Sequence, residues 1–299
     1  MNETTEADAH IVGVHGIGQG RTNEIRLAYD WGNALKRGLT RKYGPHTAIP
    51  SLTVPHYTGL YRPAAIGGDR HLGPGDVELL DADEPMGAHE EDFVIQALTA
   101  YAPGPLPEAG PHPGTLGAPL PYIPNAVTRR LAAADARHGR GAGAKVLVLV
   151  RQAYRYLHDE ELGQQIRKVI RAEIERSGAR VLIAHSLGSV IAYDMLQRRE
   201  LQDPDTHTLI TCGSPLGWLT IRRSLPGDAH LSVPEPLHWH NFHADGDPVT
   251  GGAGLAHVVM SGSLLDTRVS NGIAAPHDAV RYLSQAPLAD TVATRTAAS

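Results

Sequence analysis

The sequence of 299 residues has few of the features that identify several common protein classes. Its single cysteine, Cys212, excludes an intramolecular disulfide and is compatible with a reducing compartment. Its 17 histidines are scattered without His-x-x-x-His spacing, and no Cys-x-x-Cys pair occurs, so we expect no metal site. The net charge of -5 provides no basic surface for nucleic acid, which we exclude as a partner.

Long apolar runs are also missing. No run of about 18 apolar residues occurs, so the sequence predicts no transmembrane helix. Residues 1–9 are acidic and polar and lack the basic start and apolar core of a secretory signal. We therefore expect a disordered N-terminal tail and a cytoplasmic location. With 41% apolar and 20% charged residues, the rest of the chain is typical of a globular protein large enough for one α/β domain with an insertion.

The most informative stretch is residues 180–194. An apolar run predicts a strand, Ser186 follows it directly, and a helix-compatible run with small residues comes next. A sharp turn from strand to helix needs small residues on both sides of the serine, and Ala184 and Gly188 supply them. The usual pattern is Gly-x-Ser-x-Gly, from which Ala184 departs by one methyl group.

This stretch resembles the nucleophile elbow of the α/β-hydrolase superfamily, and its lipase and esterase branches in particular. The resemblance implies a mostly parallel central sheet with helices on both faces and Ser186 as the nucleophile. It also implies that the acidic and histidine members of a catalytic triad follow the serine in that order along the chain. His185 should point away from the serine, because neighbours along a strand face opposite sides.

Residues 10–20 are similar to the oxyanion-hole region of the same family. They predict a short buried strand that breaks at glycines, with a His15-Gly16 pair after it. The resemblance implies that the backbone N–H groups of Ile17, or of Gly18 beside it, and of Leu187 stabilise an oxyanion. A plain glycine-rich turn is the alternative. A phosphate-binding loop is disfavoured because the Gly-Lys-Ser/Thr ending is missing.

Residues 59–143 form a glycine- and proline-rich segment that is unsuited to a sheet. In this family such an insertion becomes a cap or lid over the serine, and a surface excursion without a role in chemistry is the alternative. Candidate pocket residues are His15, Gly18, Tyr57 and Trp218, and Leu60, Tyr61 and Tyr122 are further possible substrate contacts. Residues 145–157 predict either a strand that continues as a helix or one buried helix.

Two aspartates compete for the acidic position of the triad. Asp245 and Asp247 both lie in the turn that ends the run 238–249, and we assign the role to Asp247 because its Asp-Pro-Val context resembles the family's acidic site. Asp245 is the substitute. Either could instead cap a turn.

Downstream of Asp247 only His257 and His277 are present. His257 lies in a strand-like apolar run, where a structural role is simpler, whereas His277 precedes the last predicted helix and resembles the family's closing motif. We therefore assign His277 as the base. The resulting Ser186–His277–Asp247 triad requires neither a metal nor an organic cofactor.

These expectations define a domain over residues 10–285 and a C-terminal tail over residues 286–299. The expected function is cleavage of a carboxylic ester in a small acyl or lipid-like substrate. A thioesterase, an acyltransferase or a peptidase would use the same triad, and a non-catalytic binding module could share the fold. The sequence leaves substrate identity and oligomeric state open.

Overall fold

The computed structural model describes residues 10–20, 22–61, 85–106, 123–201 and 208–297. The predictions for residues 1–9, for Tyr122 and for the central parts of the 59–143 insertion lie outside these residues.

A six-stranded parallel sheet forms the centre of the molecule and places it in the α/β class, as predicted. The strand order is β2-β1-β3-β4-β6-β8, and a separate parallel pair joins β5 to β7. The strands are β1 His10–Val14, β2 Ser51–Thr53, β3 Val181–His185, β4 Thr208–Cys212, β5 Leu231–Ser232, β6 His238–Ala244, β7 Val259–Ser261 and β8 Leu264–Val269.

Both faces of the sheet are covered because successive strand residues point to opposite sides. On one side Ile11, Val181 and Ile183 join a core that includes residues of the N- and C-terminal helices. On the other side Val12 and Leu182 join the larger core. This two-sided burial explains why the central strands are nearly continuous apolar runs.

Nine α-helices are present in the described residues. They are α1 Glu24–Tyr43, α2 Ala88–Tyr101, α3 Asn125–His138, α4 Ala142–His158, α5 Glu160–Ser177, α6 Leu187–Gln197, α7 Leu219–Arg223, α8 Ala279–Leu283 and α9 Ala286–Ala297. Asn23 caps helix α1, and its side chain accepts a hydrogen bond from the Arg26 N–H. Helix α5 ends at Gly178, which has a left-handed backbone conformation.

Helix α4 resolves the alternatives left open for residues 145–157, which are helical throughout. Together α2, α3 and α4 pack on one another as a group that we call the helical layer. A buried ion pair joins α4 to α2, with Arg151 Nε 2.7 Å from Glu90 Oε1. The layer extends past residue 143, where we had placed the end of the insertion.

Residues 286–297 differ from the tail that we expected. They form α9, which packs against α1 and buries Leu288, Ala289 and Val292. The apolar spacing of these residues makes one face of the helix part of the core. Among the described residues, no helix is long and apolar enough to cross a lipid bilayer.

The sheet reverses its direction of growth between β1 and β3. Strand β2 lies outside β1, whereas β4, β6 and β8 follow β3 in the opposite direction. In open α/β sheets, ligands bind beyond the carboxyl ends of the strands at such a reversal. The loop that begins at His15 and the turn at Ser186 follow the two strands that flank this point.

Candidate active site

Ser186 occupies a strained turn between β3 and α6. Its φ of 54° and ψ of -126° are unusual for a residue other than glycine. The turn also brings α6 against the end of β1. The two elements are so close that a Cβ added at Gly188 would lie 2.1 Å from the carbonyl oxygen of Val14. Small residues are therefore needed here for the reason that the sequence suggested. This backbone conformation places the Ser186 side chain beyond the end of β3.

His277 connects the serine to an aspartate. Its Nε2 lies 2.9 Å from Ser186 Oγ, and its Nδ1 lies 2.9 Å from Asp247 Oδ2 and 3.0 Å from Asp247 Oδ1. The three side chains come from the ends of different segments, 91 and 30 residues apart along the chain. The structure thus brings together the serine, acid and histidine that we selected from the sequence.

Asp247 is buried and fully engaged by donors. Besides His277, the Tyr282 hydroxyl donates to Oδ2 at 2.6 Å, and the Val249 N–H donates to Oδ1 at 2.8 Å. Burial by itself raises the pKa of this carboxyl, but the charge of His277 and these hydrogen bonds outweigh it. The net pKa lies below the ordinary value, so Asp247 is an anion at neutral pH.

The alternative residues lie elsewhere. Asp245 is exposed and pairs with the Arg268 guanidinium. His257 is exposed in a short 3₁₀ turn, Ala256–Val258, rather than in the strand that its apolar neighbours suggested. Neither residue is hydrogen-bonded to Ser186 or to His277 in the described part of the chain.

His185 does not point away from the site, contrary to our expectation. Its Nε2 lies 2.7 Å from the carbonyl oxygen of His277, and the two rings have centroids 4.8 Å apart. As the last residue of β3, it lies where the loop carrying His277 crosses the strand end. Burial lowers its pKa to about 3, so the ring is neutral and its Nε2–H can donate to that carbonyl. No sequence pattern indicated this contact.

His15 and Tyr57 support the loop that follows β1. Their rings stack with centroids 4.0 Å apart, and the Tyr57 hydroxyl donates to the His15 carbonyl. His15 Nδ1 also lies 2.6 Å from the carbonyl oxygen of Gly16, and burial lowers the pKa of His15 to about 3. Both residues were candidate pocket residues, but their side chains are buried under the loop.

Trp218 is likewise a supporting residue. Its indole N–H donates to the carbonyl oxygen of Val249 at 2.9 Å, and its ring packs edge-on against Tyr101. Val249 and Tyr101 themselves line the cavity beside Ser186. Trp218 therefore positions two wall residues from behind.

The two amide donors expected for an oxyanion are close to the serine. Ile17 and Gly18 line the same cavity as Ser186. Leu187 is the first residue of α6, so its N–H has no carbonyl partner within the helix. A Cβ added at Gly16 would lie 2.8 Å from the Ser186 Cβ, which shows how closely the loop approaches the turn.

Comparisons with protein-family models, with curated proteins and with solved structures find no match for this chain. The chemistry of the site must therefore be argued from its own geometry.

Cys212 and Gly213, at the end of β4, lie beside the histidine and the aspartate. Burial raises the pKa of the Cys212 thiol, which makes it a core residue and not a nucleophile. Gly213 has a φ of 60°, and a Cβ there would lie 3.1 Å from both Asp247 Oδ2 and the His277 ring. Only glycine gives these two side chains room to meet.

A cavity of about 690 Å³ opens beside Ser186 and His277. Its lining includes Val148 and Leu149 of α4 as well as Pro248 and Val249. The helical layer thus contributes part of the wall of this cavity. In the described residues, no group of three or more histidine, cysteine, aspartate or glutamate side chains is arranged to hold a metal ion.

Proposed function

We propose that this chain is a serine hydrolase of the α/β-hydrolase superfamily that cleaves carboxylic esters in the manner of lipases and esterases. One observation carries the proposal: His277 lies 2.9 Å from Ser186 Oγ through one ring nitrogen and 2.9 Å from Asp247 through the other. A hydroxyl, an imidazole and a buried carboxylate in this order are the parts of a catalytic triad.

Acylation begins when Ser186 Oγ attacks the carbonyl carbon of the ester. His277 Nε2 takes the hydroxyl proton, and Asp247 stabilises the imidazolium that forms. The tetrahedral intermediate then collapses and the bond from the carbonyl carbon to the alcohol oxygen breaks. His277 gives its proton to that oxygen, so that an alcohol leaves and an acyl group stays on Ser186.

Deacylation repeats these steps with water. His277 takes one proton from the water while the remaining hydroxide attacks the acyl carbon. Collapse of the second intermediate returns the proton to Ser186 Oγ and releases a carboxylic acid. The N–H groups of Leu187 and of Ile17, with Gly18 as the neighbouring alternative, stabilise the oxyanion in both steps. Losing one such donor typically raises the barrier by about 2.7–4 kcal/mol.

The helical layer acts as the cap of this fold. Support comes from its position, because α4 lies across the cavity that contains Ser186. A covering of this kind excludes water and strengthens electrostatic interactions around the reacting atoms. The mechanism requires no metal or organic cofactor, since His277 carries every proton transfer and the backbone amides stabilise the oxyanion.

A fluorophosphonate probe combined with ester turnover tests the proposal. We expect the wild type to be labelled and to hydrolyse p-nitrophenyl butyrate. Ser186→Ala should abolish labelling and lower kcat by about 10⁶-fold, because the nucleophile is lost. Ser270→Ala, which changes an exposed serine, serves as the matched control and should behave like the wild type.

A folded wild type that is neither labelled nor active on any ester would refute the enzyme and support a non-catalytic binding module. Equal labelling of the wild type and Ser186→Ala would identify another nucleophile. Parallel assays on a thioester and a peptide amide with the same acyl group would separate an esterase from a thioesterase or a peptidase, since all three would share the acyl-enzyme.

A further inference from the structure

Two cavities meet at the proposed triad, and they differ in chemistry. The first, of about 690 Å³, contains Ser186 and His277, and we call it the apolar cavity. The second, of about 760 Å³, contains His277 but not Ser186, and we call it the polar cavity. Both volumes lie in the range of about 300–1,000 Å³ that is typical of small-ligand sites.

The apolar cavity is walled mainly by aliphatic side chains. Val148 and Leu149 of α4 line it together with Val249, and Ala144 lies one helical turn before Val148. Away from the triad, the polar side chains that line it are Tyr101, Lys145 and His185, and all three also line the polar cavity. Transfer of an unbranched hydrocarbon chain from water to such an apolar surface is favourable, so this is the kind of ligand that the cavity should bind most strongly.

The polar cavity lies towards α1 and the α3–α4 turn. Its lining includes Gln19, Asp30, His138 and Arg140. Asp30 is already paired with Arg26, whereas no ion-pair partner of Arg140 is found in the described part of the chain. A group with hydroxyl or other polar atoms would find donors and acceptors here.

From this division we infer the orientation and class of the substrate: an ester whose aliphatic acyl chain occupies the apolar cavity and whose polar alcohol portion occupies the polar cavity. The inference rests on the proposed function. The acyl group becomes bonded to Ser186 Oγ, so its chain must extend into the cavity that Ser186 lines. The alcohol oxygen receives its proton from His277, which lines both cavities, so the alcohol can extend from the triad into the polar cavity.

Val148 is the residue that we assign to acyl-chain selection. It is partly exposed to the cavity, and it lies one residue before Leu149 and one turn after Ala144 on the wall of α4. A larger side chain at this position shortens the space for the chain, and a smaller one extends it. Each methylene that enters the cavity should raise kcat/KM by about fourfold.

The test uses p-nitrophenyl esters from acetate to dodecanoate, below the concentrations at which they form micelles. In the wild type, kcat/KM should rise with chain length and then level off or fall. Val148→Phe should lower the octanoate-to-acetate ratio of kcat/KM at least tenfold, and Val148→Ala should move the maximum to longer chains. Met260→Phe introduces the same ring at an exposed residue of β7 and serves as the control.

The alcohol side is tested with two butyrate esters, 1-butyrylglycerol and propyl butyrate. The glyceryl ester should be preferred, and Arg140→Leu should lower that preference by about threefold through the loss of a hydrogen bond. Arg129→Leu, which removes an exposed arginine of α3 that does not line either cavity, should leave the preference as in the wild type.

A chain-length profile that Val148→Phe does not change, or a uniform loss on all esters, would overturn the assignment of the apolar cavity. A preference for propyl butyrate, or an equal effect of both arginine variants, would overturn the assignment of the polar cavity. In each case the wild type would still react with the fluorophosphonate and hydrolyse acetate. If the protein is not a serine hydrolase, both the fluorophosphonate labelling and the hydrolysis of acetate would instead be absent.

Discussion

The carboxyl edge of the sheet and the helical layer contribute to the site in different ways. At the edge, Ser186, His277 and Asp247 are joined by direct hydrogen bonds. The layer lines the cavity with apolar side chains such as Val148, and its ion pair between Glu90 and Arg151 joins two helices to each other. The polar side chains of the proposed triad and the apolar side chains that shape the cavity thus lie in separate parts of the chain. Substitutions in these two parts should therefore affect activity differently.

The largest difference is expected at Asp247. Asp247→Asn keeps the shape of the side chain but removes the charge that orients and stabilises His277, so kcat should fall about 10⁴-fold. Asp245→Asn, in the same turn, removes only an exposed partner of Arg268 and should change kcat by less than about twofold. Steady-state kinetics on one ester measures both. Similar losses in the two variants would show that the turn, and not the carboxylate at 247, matters.

Acid should destabilise the protein through two buried histidines at the sheet edge. His15 and His185 have pKa values lowered to about 3 by burial, against an ordinary value of 6.5. Between these values the unfolded chain binds protons that the folded chain does not, so stability falls as the pH falls below 6.5. From pH 7 to pH 5 the loss is about 2 kcal/mol for each histidine.

Urea unfolding at pH 7, 6 and 5 measures this loss. His185→Asn should reduce the stability loss between pH 7 and pH 5 by about 2 kcal/mol, because asparagine does not titrate. Equal slopes for His185→Asn and the wild type would contradict a buried, neutral His185.

We expect the smallest effect from a comparison of two tyrosine–aspartate hydrogen bonds. Tyr282 donates to Asp247 at 2.6 Å beside the proposed triad, and Tyr156 of α4 donates to Asp194 of α6 at 2.7 Å beneath the helical layer. Each bond is to a buried charge, so Tyr→Phe at either position should cost about 1.5–3 kcal/mol of stability.

Only Tyr282→Phe should alter catalysis. This substitution leaves Asp247 with one hydrogen-bond donor fewer, so we expect kcat to fall about tenfold and the pH–rate profile to shift. Tyr156→Phe should keep the pH–rate profile of the wild type. Urea unfolding and pH–rate measurements on both variants test this. A shifted profile in Tyr156→Phe would show that the helical layer is coupled to the chemistry.

The sequence predicted best the features that depend on neighbouring residues. The turn at Ser186 needs only a strand, small residues and a helix in succession. Local pattern did not separate Asp245 from Asp247, which share one turn, and only the resemblance of the Asp-Pro-Val context favoured Asp247. Burial of one and exposure of the other separates them in the structure.

Other features were not predicted because they join distant segments. The contact of His185 with the His277 carbonyl spans 92 residues, and α9 is recognisable as core only when α1 is packed against it. Residues 145–157 were ambiguous because a buried helix and a buried strand are both apolar runs. Their length and packing against α2 and α3 make them a helix.

By itself, the sequence determined the alternation of apolar strands and amphipathic helices, the strained turn at Ser186, and the order of serine, aspartate and histidine along the chain. Those properties depend on local backbone and side-chain preferences. Only the tertiary structure showed that His277 contacts both Ser186 and Asp247, and which helix lines the cavity, because parallel strands bring distant loops to one edge.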